Sequence, residues 1–221
     1  LDATLYPTLM TKRGVDLGAE VRYLQPDYAG VVRGAYMPSD PLRDANRWGY
    51  SLQHNQSLTQ ALNRLGGGGS AGLNLNLNRV SDDDYWRDFP RATASLTQRL
   101  LPGDASFNWG QGPWSFSAGA YTWQTLQDVA APITPPYDRV PSLTLRHDRS
   151  GLSLGGSDGW YSSLVTEYTR FESDPRLTGQ TNGSRAIASA ELTRRWQAPG
   201  WFVQPRARLH ATQYRFDNPL A

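Results

Sequence analysis

Three histidines, His54, His147 and His210, are the side chains best suited to hold a metal or move a proton near neutral pH. No two stand at a spacing such as i, i+2 that would set both on one face of a strand. They read as isolated polar strand or lumen residues rather than a metal site. Asp82, Asp83 and Asp84 follow Ser81 and could imitate a calcium loop. The run lacks the spaced ligands, the turn glycine and the closing glutamate, so a solvated loop is expected. Asp84 and Asp88 could be imagined as the acid and base of a glycosidase, but carboxylates four apart in a loop are commonplace. Gly66–Gly69 lacks the Lys-Ser/Thr of a phosphate loop, and the Gly-x-Ser-x-Gly and His-Glu-x-x-His patterns are absent. There is no cysteine, hence no thiolate ligand and no disulfide framework. Neither an active site nor a cofactor is expected, and the protein is not read as an enzyme.

The elements that position these residues are strands. Leu73, Leu75 and Leu77 alternate with Asn74, Asn76 and Asn78, which sets a pure Leu row and a pure Asn row on opposite faces of a strand. The same period runs through Val15, Leu17, Ala19, Val21 and Tyr23, through Ala186, Ala188, Ala190 and Leu192, and through Trp201, Val203, Pro205, Ala207, Leu209 and Ala211. Strands are expected at about 2–10, 14–25, 29–37, 47–57, 71–80, 92–101, 105–110, 113–127, 139–149, 161–172, 185–197 and 201–215. Turn-forming clusters separate them at 12–14, 38–46, 66–70, 81–90, 132–136, 155–159, 174–183 and 198–200. The run Gly66–Ser70 reads equally as an engineered linker or a natural hairpin loop. No convincing helical stripe exceeds about ten residues, which excludes a βαβ nucleotide-binding sheet.

Composition narrows the class. The chain has 221 residues, and no run of about 18 apolar residues offers a spanning helix. Eight Trp within 11% aromatic residues are too many for a disordered chain. A formal charge of +2 is no nucleic-acid footprint. The chain opens inside a strand-like pattern at Leu1-Asp2-Ala3-Thr4-Leu5, which suggests a mature segment or an excised fragment.

Alternation alone does not distinguish a soluble sandwich from a membrane barrel, because both have one apolar and one polar face. Three details favour the barrel. Several strands run about 10–15 residues, suited to a tilted bilayer crossing. Aromatics gather near strand ends at Trp48, Tyr50, Trp114, Trp160, Trp196 and Trp201, where interfacial girdles lie. The polar rows carry charge or amide in mid-strand at Glu20, Arg22, Arg33, Asn74, Asn76, Asp148, Glu167, Glu191, Arg206 and Arg208.

Several ordered strings carry a further resemblance. These are Leu1-Asp2-Ala3-Thr4-Leu5-Tyr6-Pro7, Lys12-Arg13-Gly14, Glu20-Val21-Arg22-Tyr23-Leu24, Tyr36-Met37-Pro38-Ser39-Asp40 and Arg47-Trp48 leading to His54. Val80-Ser81-Asp82-Asp83-Asp84-Tyr85-Trp86-Arg87-Asp88-Phe89 is the most characteristic. Arg139-Val140-Pro141-Ser142-Leu143 and Leu209-His210-Ala211-Thr212-Gln213-Tyr214 follow in order. From its first residue to its last the chain resembles the barrel domain of the LptD family of outer-membrane lipopolysaccharide translocons in Gram-negative bacteria.

That resemblance implies a very large antiparallel barrel behind a periplasmic jellyroll, with a lipoprotein plug, LptE, seated in the lumen. It implies that lipopolysaccharide arrives from a periplasmic bridge component and leaves for the outer leaflet through a seam between the first and last strands. No bond changes, and the partners are lipopolysaccharide, the plug, the bridge and outer-membrane lipids. Residues 1–221 are expected to form a single all-β segment, an open half-barrel of about eleven or twelve strands from a larger antiparallel transmembrane β-barrel. Leu73, Leu75 and Leu77 are expected to face lipid. Arg22, Arg33, Asn74, Asn76, Arg206 and Arg208 are the candidate lumen contacts for lipopolysaccharide or plug, since guanidinium binds phosphate bidentately; equally, these side chains simply hydrate the lumen. Pro7, lacking an amide donor, is the candidate for weakening the seam, an ordinary edge proline being the plainer reading. The outer strands should be unpaired, with Pro7 near one edge, Pro205 near the other, and a turn-like Asn218-Pro219-Leu220-Ala221 tail. A porin-like barrel closed by its own end strands and a soluble carbohydrate-binding β-sandwich are the alternatives.

Overall fold

Side chains that alternate strictly need an extended backbone with partners on both sides, and the chain meets that need by pairing each strand with the next. The computed structural model of the chain describes residues 1–89 and 96–218. Its strands are β1 (Asp2–Met10), β2 (Gly14–Leu24), β3 (Tyr28–Asp40), β4 (Ala45–Ser57), β5 (Ser70–Val80), β6 (Leu100–Gln111), β7 (Trp114–Thr125), β8 (Asp138–Leu154), β9 (Ser157–Glu172), β10 (Gly183–Arg194), β11 (Trp196–Ala198), β12 (Trp201–Val203) and β13 (Arg206–Phe216). Three short helices interrupt them: α1 (Thr59–Arg64), α2 (Tyr85–Asp88) and α3 (Pro175–Thr178). Eleven strands make one sheet in chain order, β1 through β10 and then β13, every neighbouring pair antiparallel. β11 and β12 pair only with each other. β1 and β13 are the two edges, so the sheet is open, as the sequence predicts.

The single sheet does not favour the soluble sandwich: among the described residues no second sheet packs on its apolar face, and the only other sheet is the two-stranded ribbon β11–β12. The expected strands at 92–101 and 105–110 are not separate. Residues 100–111 form one strand that runs through Pro102 and Gly103, while the beginning of the first expected strand lies outside the described residues, as do Pro90 and the tail Pro219-Leu220-Ala221. The turn expected at 155–159 shrinks to Gly155 and Gly156, both at positive φ, and β9 begins at Ser157.

Register fixes the two faces. Glu20 stands opposite Arg33, Arg33 opposite Ser51, and Ser51 opposite Asn78. On the other side Leu77 stands opposite Leu52, Leu52 opposite Val32, and Val32 opposite Val21. Directly opposed residues share a face, so the Leu73, Leu75 and Leu77 row belongs to one apolar surface running across the sheet. Leu5, Leu9, Val15, Leu17, Leu145, Leu164 and Leu209 stand exposed on that surface. The polar face is the inner one, for a cavity of about 910 Å³ is lined by its residues Asn55, Asn74, Asn108, Ser117, Thr144 and Arg146, which belong to five strands. The connections fall at two rims. One carries 11–13, 41–44, 81–89 with 96–99, 126–137 and 173–182; the other carries 25–27, 58–69, 112–113, 155–156 and 195–205.

Candidate functional site

The inner face brings together some of the candidate contacts and separates others. Arg22 and Arg33 lie on adjacent strands and share Glu20, at 3.2 and 2.5 Å. Arg22 also reaches Asp2 on the edge strand at 3.1 Å. Asn74 and Asn76 sit mid-sheet on β5, where Asn76 accepts a 3.0 Å hydrogen bond from Asn78 Nδ2. Arg206 and Arg208 lie on β13, at the far edge, where Arg206 pairs with Glu191 at 3.2 Å and Arg208 donates to Ser189. Register puts all six on the polar face. None of the four arginines is a free cation, because each is already engaged by a carboxylate or a hydroxyl. Pro7 occupies the edge strand opposite Leu17 without interrupting the Asp2–Met10 ladder; β1 has a neighbour on one side only, where a missing donor is tolerated.

One rim of this face is covered by the chain itself. The segment after β5, expected to be a solvated loop, instead turns onto the inner face and packs there through Tyr85, Phe89 and Leu96. These residues are buried with Met37, Val80, Leu101 and Leu126, which makes a local core inside a polar surface. Tyr85 and Phe89 stack with ring centroids 4.5 Å apart. Gly49 explains why the segment can lie so close: a Cβ there would meet Tyr85 Oη at 2.9 Å and Leu96 at 3.2 Å. A further cavity of about 770 Å³ remains between the segment and the inner face of β1–β3, with Tyr6, Thr8, Glu20, Arg33 and Phe89 in its lining.

Ion pairs hold the segment down. Arg47 on β4, its side chain 2% exposed, donates to Asp82 through Nε at 2.5 Å and Nη2 at 2.8 Å, and through Nη1 to Asp40 at 3.2 Å and Asp88 at 3.0 Å. Its guanidinium also lies 5.0 Å from the Phe89 ring centroid. Arg13, in the β1–β2 turn, pairs with Asp40 and reaches Asp88 at 2.8 Å. Arg43, in the β3–β4 turn, holds Asp84 at 2.7 Å and Asp88 at 3.1 Å. Arg87 extends the set to Asp128 in the connection 126–137, at 2.5 Å. Of the carboxylates that could imitate a calcium loop or a glycosidase pair, Asp82, Asp84 and Asp88 are thus bound to arginine. The segment's aromatic residues were the signal against a solvated loop, since Tyr85, Trp86 and Phe89 are poorly suited to open water.

Burial tends to raise the Asp88 carboxyl, but Arg47, Arg13 and Arg43 outweigh it and hold the group below the usual carboxylate range. Burial raises the Tyr85 phenol, keeping it neutral. A depressed carboxyl contributes stability that is complete above its unfolded value of about 4 and is lost as pH falls through the folded value. The protection of residues 82–89 from hydrogen exchange, taken relative to the intrinsic rate at each pH, should therefore be flat from pH 7 to about 4 and fall below that. Asp88→Asn should loosen the segment at neutral pH and blunt the acid step. Protection already lost at pH 6 would contradict the assignment.

The histidines take separate places. His54 stands opposite Gly30 on the apolar face, not in the lumen, and meets Tyr23 Oη at 2.7 Å. His147 stacks on Trp114 with centroids 4.3 Å apart, and His210 is exposed on β13. The aromatics divide between the rims, with Trp48 and Tyr50 stacked at 6.0 Å near one and Trp114, Trp160 and Trp196 near the other.

Comparison with known proteins adds a family. The sequence profile of LptD, described as LPS transport system D, matches residues 45–221. The LPS-assembly protein LptD of Albidiferax ferrireducens is 51% identical over 221 residues, covering 100% of this chain and 27% of that protein. Its counterpart in Polaromonas sp. is 48% identical over 222 residues, covering 99% and 26%. That of Ralstonia nicotianae is 38% identical over 218 residues, covering 99% and 25%. The chain spans about a quarter of the length of the curated relatives it matches.

Proposed function

The chain belongs to the LptD family, and on that premise we propose that it forms part of the wall of an outer-membrane barrel that assembles lipopolysaccharide into the outer leaflet. The observation that carries this reading is the sheet's division into one continuous apolar face and one polar, concave face. In hydrocarbon every backbone donor and acceptor must be paired within the protein, so a sheet with free edges at β1 and β13 needs further strands. Relatives about four times as long have the chain to supply them.

In this reading residues 1–221 are one segment of the barrel, and the protein moves a lipid without making or breaking a bond. The polar face, including Arg22, Arg33, Asn74, Asn76, Arg206 and Arg208, lines the lumen and meets the sugar-phosphate part of lipopolysaccharide or a plug lipoprotein of the LptE kind. Because Arg22, Arg33 and Arg206 are already paired with carboxylates, phosphate contact there would require exchange of partners, which suits transient passage better than tight binding. The edge strand β1, with Pro7, is the candidate for one side of a lateral seam. A periplasmic bridge component would deliver the substrate through parts of the protein outside this chain.

Photoreactive residues at Arg33 and Asn76 in the full-length protein test this in cells. Capture of lipopolysaccharide or of a plug lipoprotein at both, with none at Lys12 in the β1–β2 turn, is expected. Capture of neither, or extraction of the full-length protein as a monomer in buffer without detergent, would overturn the reading.

A further inference from the structure

The ribbon β11–β12 is the one strand pair outside the main sheet among the described residues, and its composition is unlike the other connections. Its register pairs Trp196 with Val203 and Ala198 with Trp201, so one face of the ribbon is wholly apolar. Trp201 and Val203 stand more than half exposed, and Trp196 is exposed as well. Among the described residues no further strand or helix covers Trp201 and Val203. Instead the face continues into the apolar surface of the sheet: Trp196 meets Trp160 of β9 edge-on, centroids 6.3 Å apart, and Trp160 stands opposite Arg194.

Cations stand at both faces of the ribbon, Arg194 on the Trp196 side and Arg195 on the opposite, Phe202 side. The Arg194 guanidinium lies 4.7 Å from the Trp196 centroid and 5.8 Å from that of Trp160, and Arg195 lies 4.7 Å from Phe202. No Asp or Glu occurs between Glu191 and Asp217, a stretch that holds Arg194, Arg195, Arg206, Arg208 and Arg215. Unlike Arg206, which has Glu191, neither Arg194 nor Arg195 has a carboxylate partner among the described residues. A guanidinium held at the margin of an apolar surface, flanked by indoles and without an internal anion, is suited to a lipid phosphate. The rim decides which lipid. Both rims carry tight turns, but this one has three of the shortest, 25–27, 112–113 and 155–156, while the longest connection, between β5 and β6, is at the other; in outer-membrane barrels the shorter turns lie on the periplasmic side, against the phospholipid leaflet.

We propose that the β11–β12 ribbon lies along the periplasmic-side membrane interface and binds an anionic glycerophospholipid headgroup through Arg194 and Arg195, with Trp160, Trp196 and Trp201 seated at the headgroup level. The proposal rests on the apolar face meeting lipid, as in the function proposed above. It goes further by naming a lipid site on the outside of the wall, distinct from any lumen path.

The full-length protein, purified in detergent and titrated with phosphatidylglycerol, phosphatidylcholine or lipid A, gives the test by native mass spectrometry. Wild type should retain phosphatidylglycerol in preference to the other two. R194Q/R195Q should weaken that preference by about fivefold for each charge removed, R194K/R195K should keep most of it, and Arg176→Gln at the opposite rim should leave it unchanged. Should the glutamine variant fail to fold, judged by heat-dependent gel mobility, wild-type protein in vesicles of brominated phosphatidylglycerol or phosphatidylcholine reads the same contact. Quenching of the Trp196 and Trp201 emission, identified by loss in W196F/W201F, should be stronger with phosphatidylglycerol. Equal retention of charged and zwitterionic lipid, preference for lipid A, or wild-type behaviour of folded R194Q/R195Q would each overturn the proposal. Protein that needs no detergent and retains no lipid would instead overturn the barrel reading beneath it.

Discussion

Arg47→Met should destabilise the folded protein by about 3–5 kcal/mol, read as a fall in the denaturant midpoint of the full-length barrel. Three carboxylates converge on this one guanidinium, and Asp40 beside it is fully buried. Methionine matches the length of the stem but supplies no donor, so Asp40 and Asp88 would lean on Arg13 and Arg43 alone. Removing one member of a buried ion-pair set costs more than the set contributes, because the remaining charge stays desolvated. The loss should be local first. Residues 81–89 should become open to protease while the strand ladder persists, since the ladder's hydrogen bonds do not pass through Arg47's side chain. Replacing Arg47 and Asp82 together, as Arg47→Met with Asp82→Asn, should cost less than the sum of the single changes. Additive costs would mean that the Arg47–Asp82 pair is not the clamp.

The next largest effect is expected on β5. Leu75→Arg should cost about 2–4 kcal/mol in the membrane, whereas Asn76→Arg, one residue away, should cost little. Leu75 lies mid-strand on the apolar face, opposite His54 on one side and Ala105 on the other. A guanidinium there would have hydrocarbon around it. Asn76 stands on the inner face directly opposite Asp104, whose Oδ1 is buried without a hydrogen-bond partner. An arginine at 76 gains a carboxylate partner across the strand pair, so this substitution could even stabilise the sheet. Unfolding titrations in lipid vesicles measure both. Equal costs at the two positions would mean that the faces are not divided between lipid and lumen.

The alternation of Leu and Asn at 73–78 was enough to establish a strand and two faces, because side-chain direction in an extended backbone is a local property with period two. The strands β1, β2, β4 and β5 are therefore legible within a few residues. Where the local signal is mixed, boundaries fail: Pro102 and Gly103 look like a turn, yet the hydrogen bonds of Leu100–Gln111 with β7 carry the strand through them. The Gly155-Gly156 turn is shorter than its glycine-rich surroundings suggest, since the partner strand continues to pair almost to the turn.

Sites separate in the same way. That Arg22, Arg33, Asn74, Asn76, Arg206 and Arg208 belong to polar rows follows from parity within each strand; that they share one face follows only from register between strands. Which of them meet is a matter of strand order, which places Arg22 and Arg33 side by side and Arg206 far away on the strand at the opposite edge. The inward fold of residues 81–89 shows the limit most clearly. Its aspartates carry no mark of their destination, and the arginines that claim them are 35 residues away for Asp82 and 45 for the Arg43–Asp88 pair. By itself the sequence determined the strands, the two-faced pattern and the family resemblance, because these depend on neighbours along the chain. Only the tertiary structure decided which side chains stand opposite one another across the sheet, that Arg22, Arg33 and Arg206 are already paired with carboxylates, and that residues 81–89 fold in over one rim. Those depend on which distant side chains the sheet brings within hydrogen-bonding distance.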